Sequence, residues 1–179
     1  PARFNWGPRF LSTNHLLNEG YWIWLIPLAS GLYSVGLGYD RETLKDPPQT
    51  KEELLAFLRS HRMANDLLGD AEALEFGVLK NFTYRPKRSL LSDRVAWIGT
   101  AAGFVDPFFS NGVDMIALGC ELTCDLIKRD LGGEGLDADR LEAHNTTLSL
   151  VFEHFLVSVC KLYPTYVSQE LSLIRYRRD

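Results

Sequence analysis

The chain has 179 residues, 46% of them hydrophobic and 23% charged, which is the composition of a globular protein rather than a disordered or fibrous one. Its net charge of −4 argues against a nucleic-acid partner, since phosphate binding usually needs a basic face, and no apolar run reaches the ~20 residues of a membrane helix. The three cysteines are odd in number and lack zinc-ligand spacing, and no signal peptide is visible, so we expect a cytoplasmic protein with no membrane segment and no bound metal.

The first predicted elements form a β-hairpin. Aromatic and β-branched residues dominate 21–27, and a similar run covers 32–39. The Ala-Ser-Gly sequence at 29–31 provides the turn between them.

Two short helices and an extended segment are predicted next. Thr50 and Glu53 have the spacing of a capping box, which predicts a helix that begins at Thr50. A second helical stretch is predicted over 63–68, and 74–84 is predicted to be extended.

The last third of the chain is predicted to be mainly helical. The short apolar run 94–99 indicates a buried strand, and helical signals follow over 113–131. Asp137 is the predicted N-cap of a long helix over 138–162, and Pro164 marks its end or a kink.

The loop over 99–112 is rich in Gly, Pro, Ser and Asn and joins the predicted buried strand to a helix. Such a helix start presents unpaired backbone N–H groups and a partial positive charge, which suits an anion or an electron-rich ligand edge. Gly99 and Gly103 would let a flat ligand approach the backbone closely, and the side-chain oxygen of Ser110 or Asn111 would cap the helix. The alternative is an ordinary strand-to-helix connection with no ligand.

Two motifs resemble those of flavin-dependent halogenases, a group within the FAD-dependent aromatic monooxygenases. They are Phe-x-x-Pro-x-x-Ser-x-Gly at 104–112 and, upstream of it, Trp-x-Trp-x-Ile-Pro at 22–27. The helical tail that follows residue 133 also resembles the C-terminal helices of these enzymes. The resemblance implies an α/β protein: an α+β fragment of a glutathione-reductase-like FAD-binding fold, with a β-sheet substrate domain and C-terminal helices.

The resemblance also implies a division into three parts. Residues 1–93 would supply strands and helices of the substrate domain, 94–131 the strand, loop and helix that end the FAD-binding domain, and 132–179 the C-terminal helical region. No Gly-x-Gly-x-x-Gly follows a strand, so the N-terminal FAD-binding half is a missing partner and no catalytic residue can be assigned.

Site residues are carried over from the motifs by position. The residues implied to bind FAD are Gly99, Thr100, Ala101, Gly103, Pro107, Asn111, Gly112 and Val113. The halide site would comprise Ser110, Asn111 and Gly112, and the substrate cavity would include Trp22, Trp24 and Phe109.

Three positions depart from the family's pattern. Thr100 replaces the aspartate that touches the ribityl chain, and its hydroxyl could still donate one hydrogen bond. Phe109 replaces the glutamate of the enzymes that act on free tryptophan, which indicates a phenol, a pyrrole or a carrier-bound aromatic as substrate. Asp114 puts a negative charge in the first turn of the helix, where it would oppose a nearby halide.

The implied function is halogenation of an electron-rich aromatic with reduced FAD, O2 and chloride or bromide. A separate flavin reductase would be a partner for the reduction of FAD. The alternatives are an FAD-dependent monooxygenase or oxidoreductase that does not halogenate, and a non-catalytic remnant that binds a partner protein.

Overall fold

The structure is a computed structural model that describes residues 11–92, 94–168 and 170–171. The chain forms two compact units. The sheet unit contains the described residues of Pro1–Val78 and Tyr163–Asp179, and the helical unit contains those of Leu79–Leu162. The division into 1–93, 94–131 and 132–179 stays a prediction, because it refers to domains of a whole enzyme.

The sheet unit has three antiparallel strands in the order β1 (Asn14–Asn18), β2 (Tyr21–Pro27) and β3 (Tyr33–Tyr39). The predicted hairpin is confirmed as β2 and β3. Strand β1 was not predicted, because its five residues carry too short a pattern. The sequence feature that marks β1 is Gly20, which has φ +75° and lies in the turn between β1 and β2.

Two helices follow the sheet, as predicted. Helix α1 covers Lys51–Arg59, and helix α2 covers Arg62–Leu68. The capping box is confirmed: the Glu53 N–H donates to Thr50 Oγ1 at 3.2 Å, and the Thr50 N–H donates to Glu53 Oε2 at 3.2 Å. The Gln49 N–H also donates to Glu53 Oε2, at 2.7 Å, and this bond together with the Thr50 N–H lowers the pKa of the Glu53 carboxyl.

The core of the sheet unit lies between one face of β2 and the two helices. Ile23 and Leu25 are completely buried and pack with Leu58 of α1 and Ala64 of α2. Because side chains alternate along a strand, the residues between them in β2 lie on the opposite face of the sheet.

The helical unit contains α3 (Asn111–Leu131) and α4 (Ala138–Ser158). Asp137 caps α4 as predicted. Helix α4 ends at Ser158 rather than at residue 162, and the 3₁₀ turn Cys160–Thr165 follows. Pro164 lies within this 3₁₀ turn and not at the end of α4, so the predicted role of Pro164 as the helix end is wrong.

The strand predicted over 94–99 is absent from the described residues, and this prediction was wrong. The segment makes one isolated bridge, between Leu90 and Ala96, and the side chains of Val95 and Trp97 are 38% and 43% exposed. A strand needs hydrogen-bonded neighbours, and within the described ranges this segment pairs on one edge only. The predicted extended segment 74–84 likewise forms no strand apart from an isolated bridge at its end.

Polar side chains of α4 hold the helical unit together. The buried Asn145 carboxamide accepts hydrogen bonds from the N–H groups of Ser89 and Leu90 at 2.8 and 3.0 Å. Its Nδ2 donates to the Leu90 carbonyl at 3.0 Å. The neighbouring His144 is buried against Thr123 of α3, with 3.1 Å between Nε2 and Oγ1. These contacts fix the segment that leads into the loop 99–112.

The fold is a mixture of helices with a small antiparallel sheet, in agreement with the predicted fold class. In the described ranges, no helix combines the length and the apolar character needed to cross a membrane.

Candidate functional site

The loop 99–112 contains two glycines whose conformation no other residue adopts readily. Gly99 has φ +61° and Gly103 has φ +146°. A Cβ added at Gly103 would stand 3.0 Å from the Phe152 ring, and one added at Gly99 would stand 2.9 Å from Ile116. Packing inside the helical unit therefore explains both glycines without a ligand.

One side of the loop is bonded to the segment before it. The backbones of Tyr84 and Phe104 exchange two hydrogen bonds of 2.8 and 2.9 Å. The Tyr84 hydroxyl donates to the Thr100 carbonyl, and the Thr83 hydroxyl donates to the Val105 carbonyl at 2.6 Å. The loop thus has a fixed path from residue 100 to residue 105.

Two buried polar side chains hold the second half of the loop. Asp106 Oδ1 accepts the Phe108 N–H at 2.8 Å. Asn111 Nδ2 donates to the carbonyls of Asp106 and Phe108 at 3.0 and 2.9 Å. The predicted cap is wrong, because Asn111 donates here rather than accepts and the Ser110 side chain makes no capping hydrogen bond. Sequence reasoning missed Asp106, whose signal is an Asp-Pro step of the kind that begins turns.

Phe109 and Ser110 are consecutive non-glycine residues in the left-handed region, with φ of +62° and +56°. Such a conformation costs of the order of 1–3 kcal/mol per residue and persists only where the surroundings impose it. The hydrogen bonds of Asp106 and Asn111 impose it here. The chain consequently turns sharply and enters α3 directly from this strained pair.

The start of α3 is open to an approaching ligand. A Cβ built on Gly112 meets no atom within 4 Å. Pro107 and Ser110 are exposed, and the Val113 side chain is 64% exposed. Since the first N–H groups of a helix lack intrahelical acceptors and carry about half a positive charge together, this surface can receive an anion or an electron-rich edge.

The predicted FAD and halide residues divide by burial. Gly99, Gly103 and Asn111 are buried, so they can offer a ligand at most backbone groups. The others face outward or lie partly open: Thr100, Ala101, Pro107, Ser110, Gly112 and Val113. Among the substrate-cavity residues, Phe109 is 43% exposed.

The other two predicted cavity residues, Trp22 and Trp24, lie side by side on the sheet unit. Their ring centroids are 5.1 Å apart, with 42° between the planes. Each indole crosses a glycine of β3: a Cβ on Gly36 would stand 1.9 Å from Trp24, and one on Gly38 would stand 2.4 Å from Trp22. Bare backbone in β3 therefore forms the surface under both rings.

The two indoles differ in burial. Trp22 is only 2% exposed, and its Nε1–H donates to the Tyr163 hydroxyl at 2.8 Å. Trp24 is partly exposed, and its Nε1–H reaches Ser34 Oγ at 3.3 Å. Trp22 is thus fixed within the unit, whereas Trp24 retains accessible surface. Tyr163 was not predicted, because it lies 141 residues from Trp22 in the sequence.

A cavity of about 330 Å³ lies elsewhere in the helical unit and is lined in part by the basic residues Arg85, Lys87 and Arg88. Arg85 forms an ion pair with Glu153, and Arg88 forms one with Glu142 at 3.3 Å. The two carboxylates balance two of the three positive charges. In the part of the chain that the structure describes, no group of His, Cys, Asp and Glu could hold a metal ion.

Comparisons with known proteins agree with the motifs. A family model described as tryptophan halogenase matches residues 12–165. The chain is 32% identical to the flavin-dependent halogenase chlA of Dictyostelium discoideum over 133 residues. These residues are 72% of this chain and 22% of that relative. It is also 30% identical to the 1H-pyrrole-2-carbonyl-[peptidyl-carrier protein] chlorinase of Pseudomonas fluorescens over 96 residues. These residues are 52% of this chain and 21% of that relative.

A solved structure gives the same result. The crystal structure of CmlS, a flavin-dependent halogenase, matches with a TM-score of 0.57 and 25% identity, over 83% of this chain and 26% of that chain. The chain spans about a fifth to a third of the length of the curated relatives it matches. Because the family model covers most of the sequence, the chain belongs to the tryptophan halogenase family of flavin-dependent halogenases.

Proposed function

We propose that the chain forms the flavin-facing, C-terminal part of an FAD-dependent halogenase. The whole enzyme would use reduced FAD, O2 and chloride or bromide to halogenate an electron-rich aromatic: a phenol, a pyrrole or a carrier-bound substrate. The observation that carries this proposal is the strained Phe109–Ser110 pair, which leads into a helix start with open space beside Gly112. Strain of this kind is typical of sites where the backbone serves a ligand.

The residues of the loop fit FAD. The exposed Thr100 hydroxyl can hydrogen-bond the ribityl chain, and the exposed face of Pro107 can lie against the isoalloxazine ring. The amides of Asn111, Gly112 and Val113 can face the flavin carbonyl edge. When bound, reduced FAD would supply two electrons to O2 and the halide would supply two more, which gives oxidised FAD, hypohalous acid and water.

The same helix start fits a halide. The Ser110 hydroxyl and the amides of Asn111 and Gly112 offer donors and partial positive charge without a metal. Asp114 is exposed in the first turn of α3 and opposes the anion, so we expect weak halide binding. Weak halide binding would favour the alternative function, an FAD-dependent monooxygenase or oxidoreductase that does not halogenate.

Trp22 and Trp24 would form a wall of the substrate cavity. The accessible surface of Trp24 would contact the aromatic substrate, while the buried Trp22 would hold Trp24 in place. Phe109 would add an exposed aromatic surface at the flavin-facing loop. Such walls keep water and substrate away from the flavin and so limit side reactions.

Further partners belong to the proposal. They are the dinucleotide-binding part of the enzyme, a flavin reductase, and a small or carrier-bound aromatic; the carrier is supported by the Pseudomonas relative. A cytoplasmic location is proposed from the cysteine content alone.

Gly112→Ala in the enzyme that contains this segment tests the site. The new methyl group meets no protein atom, and alanine favours a helix over glycine by up to ~1 kcal/mol, so the melting temperature should not fall. The methyl group would instead occupy the ligand's space, and we expect at least tenfold weaker halide or FAD affinity by fluorescence titration. Gly77→Ala, which also meets no atom, is the control. Unchanged affinity for both ligands would contradict the proposed site.

Product analysis tests the reaction. With FAD, a flavin reductase, O2 and bromide, a brominated phenol or pyrrole in the mass spectrum would support halogenation. Thr100 and Asp114 favour the second candidate, a monooxygenase or oxidoreductase, because both weaken the predicted flavin and halide contacts; a hydroxylated or reduced product with no halogenation would support it. An enzyme that neither binds flavin nor forms product would support the non-catalytic remnant.

A further inference from the structure

The sheet face that carries Trp22 and Trp24, here called the tryptophan face, also carries a histidine. Directly opposed residues of neighbouring strands point to the same side of a sheet, and His15 of β1 is opposed to Trp24 of β2. The imidazole also contacts Trp22, with 5.3 Å between the ring centroids and 82° between the planes. Because Trp22 contacts Trp24 as well, the three rings form one cluster.

Among the strand residues of the tryptophan face, His15 is the one that titrates near neutral pH. Strands β1 to β3 are described without a gap, and their pairing places apolar side chains, glycines and Ser34 on the rest of this face. The Ser34 hydroxyl accepts the Trp24 Nε1–H at 3.3 Å and is not a base at neutral pH. The imidazole is therefore the strand group here that can take up a proton.

The protonation state of His15 suits such a role. Its side chain is partly exposed, and burial of the remainder lowers the pKa of the imidazole below its usual 6.5. The ring is then mainly neutral at pH 7, with one nitrogen that donates a hydrogen bond and one that accepts. An imidazole can thus keep a partner in the protein at one nitrogen and receive a proton from a ligand at the other.

His15 and Trp24 are close enough to contact the same ligand. The Cβ atoms of directly opposed residues lie about 4.5–5.5 Å apart. An aromatic ring that stacks on the accessible surface of Trp24 therefore lies next to the imidazole, and a hydroxyl on that ring comes within hydrogen-bond reach of it. A phenol matches both contacts, because it combines a flat apolar ring with one acidic proton.

We propose that His15 is a catalytic residue that accepts the hydroxyl proton of a phenol bound against Trp24. The inference rests on the proposed function and narrows its substrate class to phenols. A pyrrole could stack on Trp24 equally well, but its N–H is far less acidic than a phenol hydroxyl, so an imidazole would not take up its proton. The position of His15 thus favours one of the proposed substrates over the others.

The step is a halogen transfer from hypohalous acid to the ring. A ring carbon ortho or para to the hydroxyl uses two ring electrons to form the bond to the halogen, while the oxygen–halogen bond of hypohalous acid breaks. The hydroxyl proton moves to His15, which passes it to the departing hydroxide to give water. The proton on the halogenated carbon then moves to the oxygen and restores a phenol. Loss of the hydroxyl proton raises the electron density at the carbon that is attacked, which is how a base accelerates the step.

Paired substrates test the inference in the enzyme that contains this segment. His15→Gln keeps a hydrogen-bonding side chain but takes up no proton. We expect kcat for bromination of a phenol to fall about tenfold or more. The methyl ether of the same phenol has no hydroxyl proton, so its bromination should be equally slow in both enzymes. His154→Gln, at an exposed histidine of α4, is the control and should leave both rates unchanged.

Binding of 4-nitrophenol provides a readout without turnover. Beside His15 its absorption should shift toward the longer wavelength of nitrophenolate, and His15→Gln should abolish the shift. His15→Asn repeats each comparison if His15→Gln does not fold.

Three results would each overturn the inference: an unchanged phenol rate in His15→Gln, an equal loss with the phenol and its ether, or a nitrophenol shift that persists without the imidazole. Any of these in an enzyme that still brominates phenols would leave the proposed function standing. Conversely, a nitrophenol shift that depends on His15 in an enzyme that brominates nothing would support the role of His15 and contradict the proposed function.

Discussion

At the scale of single residues, the hydrogen bond from Trp22 to Tyr163 helps to hold the tryptophan pair in place. Tyr163→Phe keeps the ring and removes the hydroxyl that accepts a buried indole N–H, which costs about 1–3 kcal/mol. We expect a loss of that size in the free energy of unfolding by urea denaturation, with a changed tryptophan emission spectrum. The control is Ser34→Ala, which removes the more exposed partner of Trp24 and should change stability by less than about 0.5 kcal/mol. Equal effects would contradict the assigned role of Tyr163.

His144 should make stability depend on pH. Its side chain is 4% exposed, and burial lowers the pKa of the imidazole below its usual 6.5. The unfolded chain therefore takes up a proton below about pH 6.5 that the folded chain does not yet accept, so stability should fall as pH falls through this range and level off once the folded imidazole is also protonated.

The measurement is the free energy of unfolding from pH 8 to pH 5, compared with His144→Gln. The substitution should flatten the curve below about pH 6.5. Burial also lowers the pKa of His15, so His15→Gln should flatten it separately. A His144→Gln curve parallel to that of the unmodified chain would contradict the prediction.

At the scale of elements, β2 and β3 depend on glycines under the indoles. Gly38→Ala would bring a Cβ to 2.4 Å from Trp22 Nε1, and a buried ring has no room to move. We expect a loss of about 1–3 kcal/mol in thermal or urea unfolding, the usual effect of overpacking. Gly77→Ala meets no atom and should be neutral or stabilising by up to ~1 kcal/mol. A neutral Gly38→Ala would show that the indoles do not lie on bare backbone.

How far the sequence predicted these elements depends on how local their causes are. The capping box of α1, the hairpin and the Asp137 cap of α4 rest on residues a few positions apart, and the sequence predicted them. The segment 94–99 has the composition of a buried strand, but a strand exists only where a neighbour pairs with it. Likewise, the loop conformation at Phe109 and Ser110 follows from the side chains of Asp106 and Asn111, whose partners no periodicity indicates.

At the scale of the whole molecule, the family was predictable because two motifs occur in order. The contact of Trp22 with Tyr163 was not, because it depends on packing between segments that are distant in the sequence. Roles in FAD, halide and substrate binding stay predictions that rest on the motifs and on the open helix start.

The purified 179-residue chain should not retain flavin. It contains the proposed flavin-binding loop but no Gly-x-Gly-x-x-Gly turn for the pyrophosphate, which supplies much of the affinity for a dinucleotide. The visible absorption spectrum after desalting with excess FAD measures this, and a full-length flavin-dependent halogenase is the positive control. A yellow isolated chain would show that the loop binds FAD without the dinucleotide-binding part.

The left-handed pair at Phe109 and Ser110 limits which amino acids an engineer can place there. Valine, isoleucine and threonine should be rejected at either position, because their branched Cβ clashes in this backbone region. Asparagine, aspartate and glycine are the compatible replacements, so a library aimed at changing the preferred aromatic through position 109 should be built from them first.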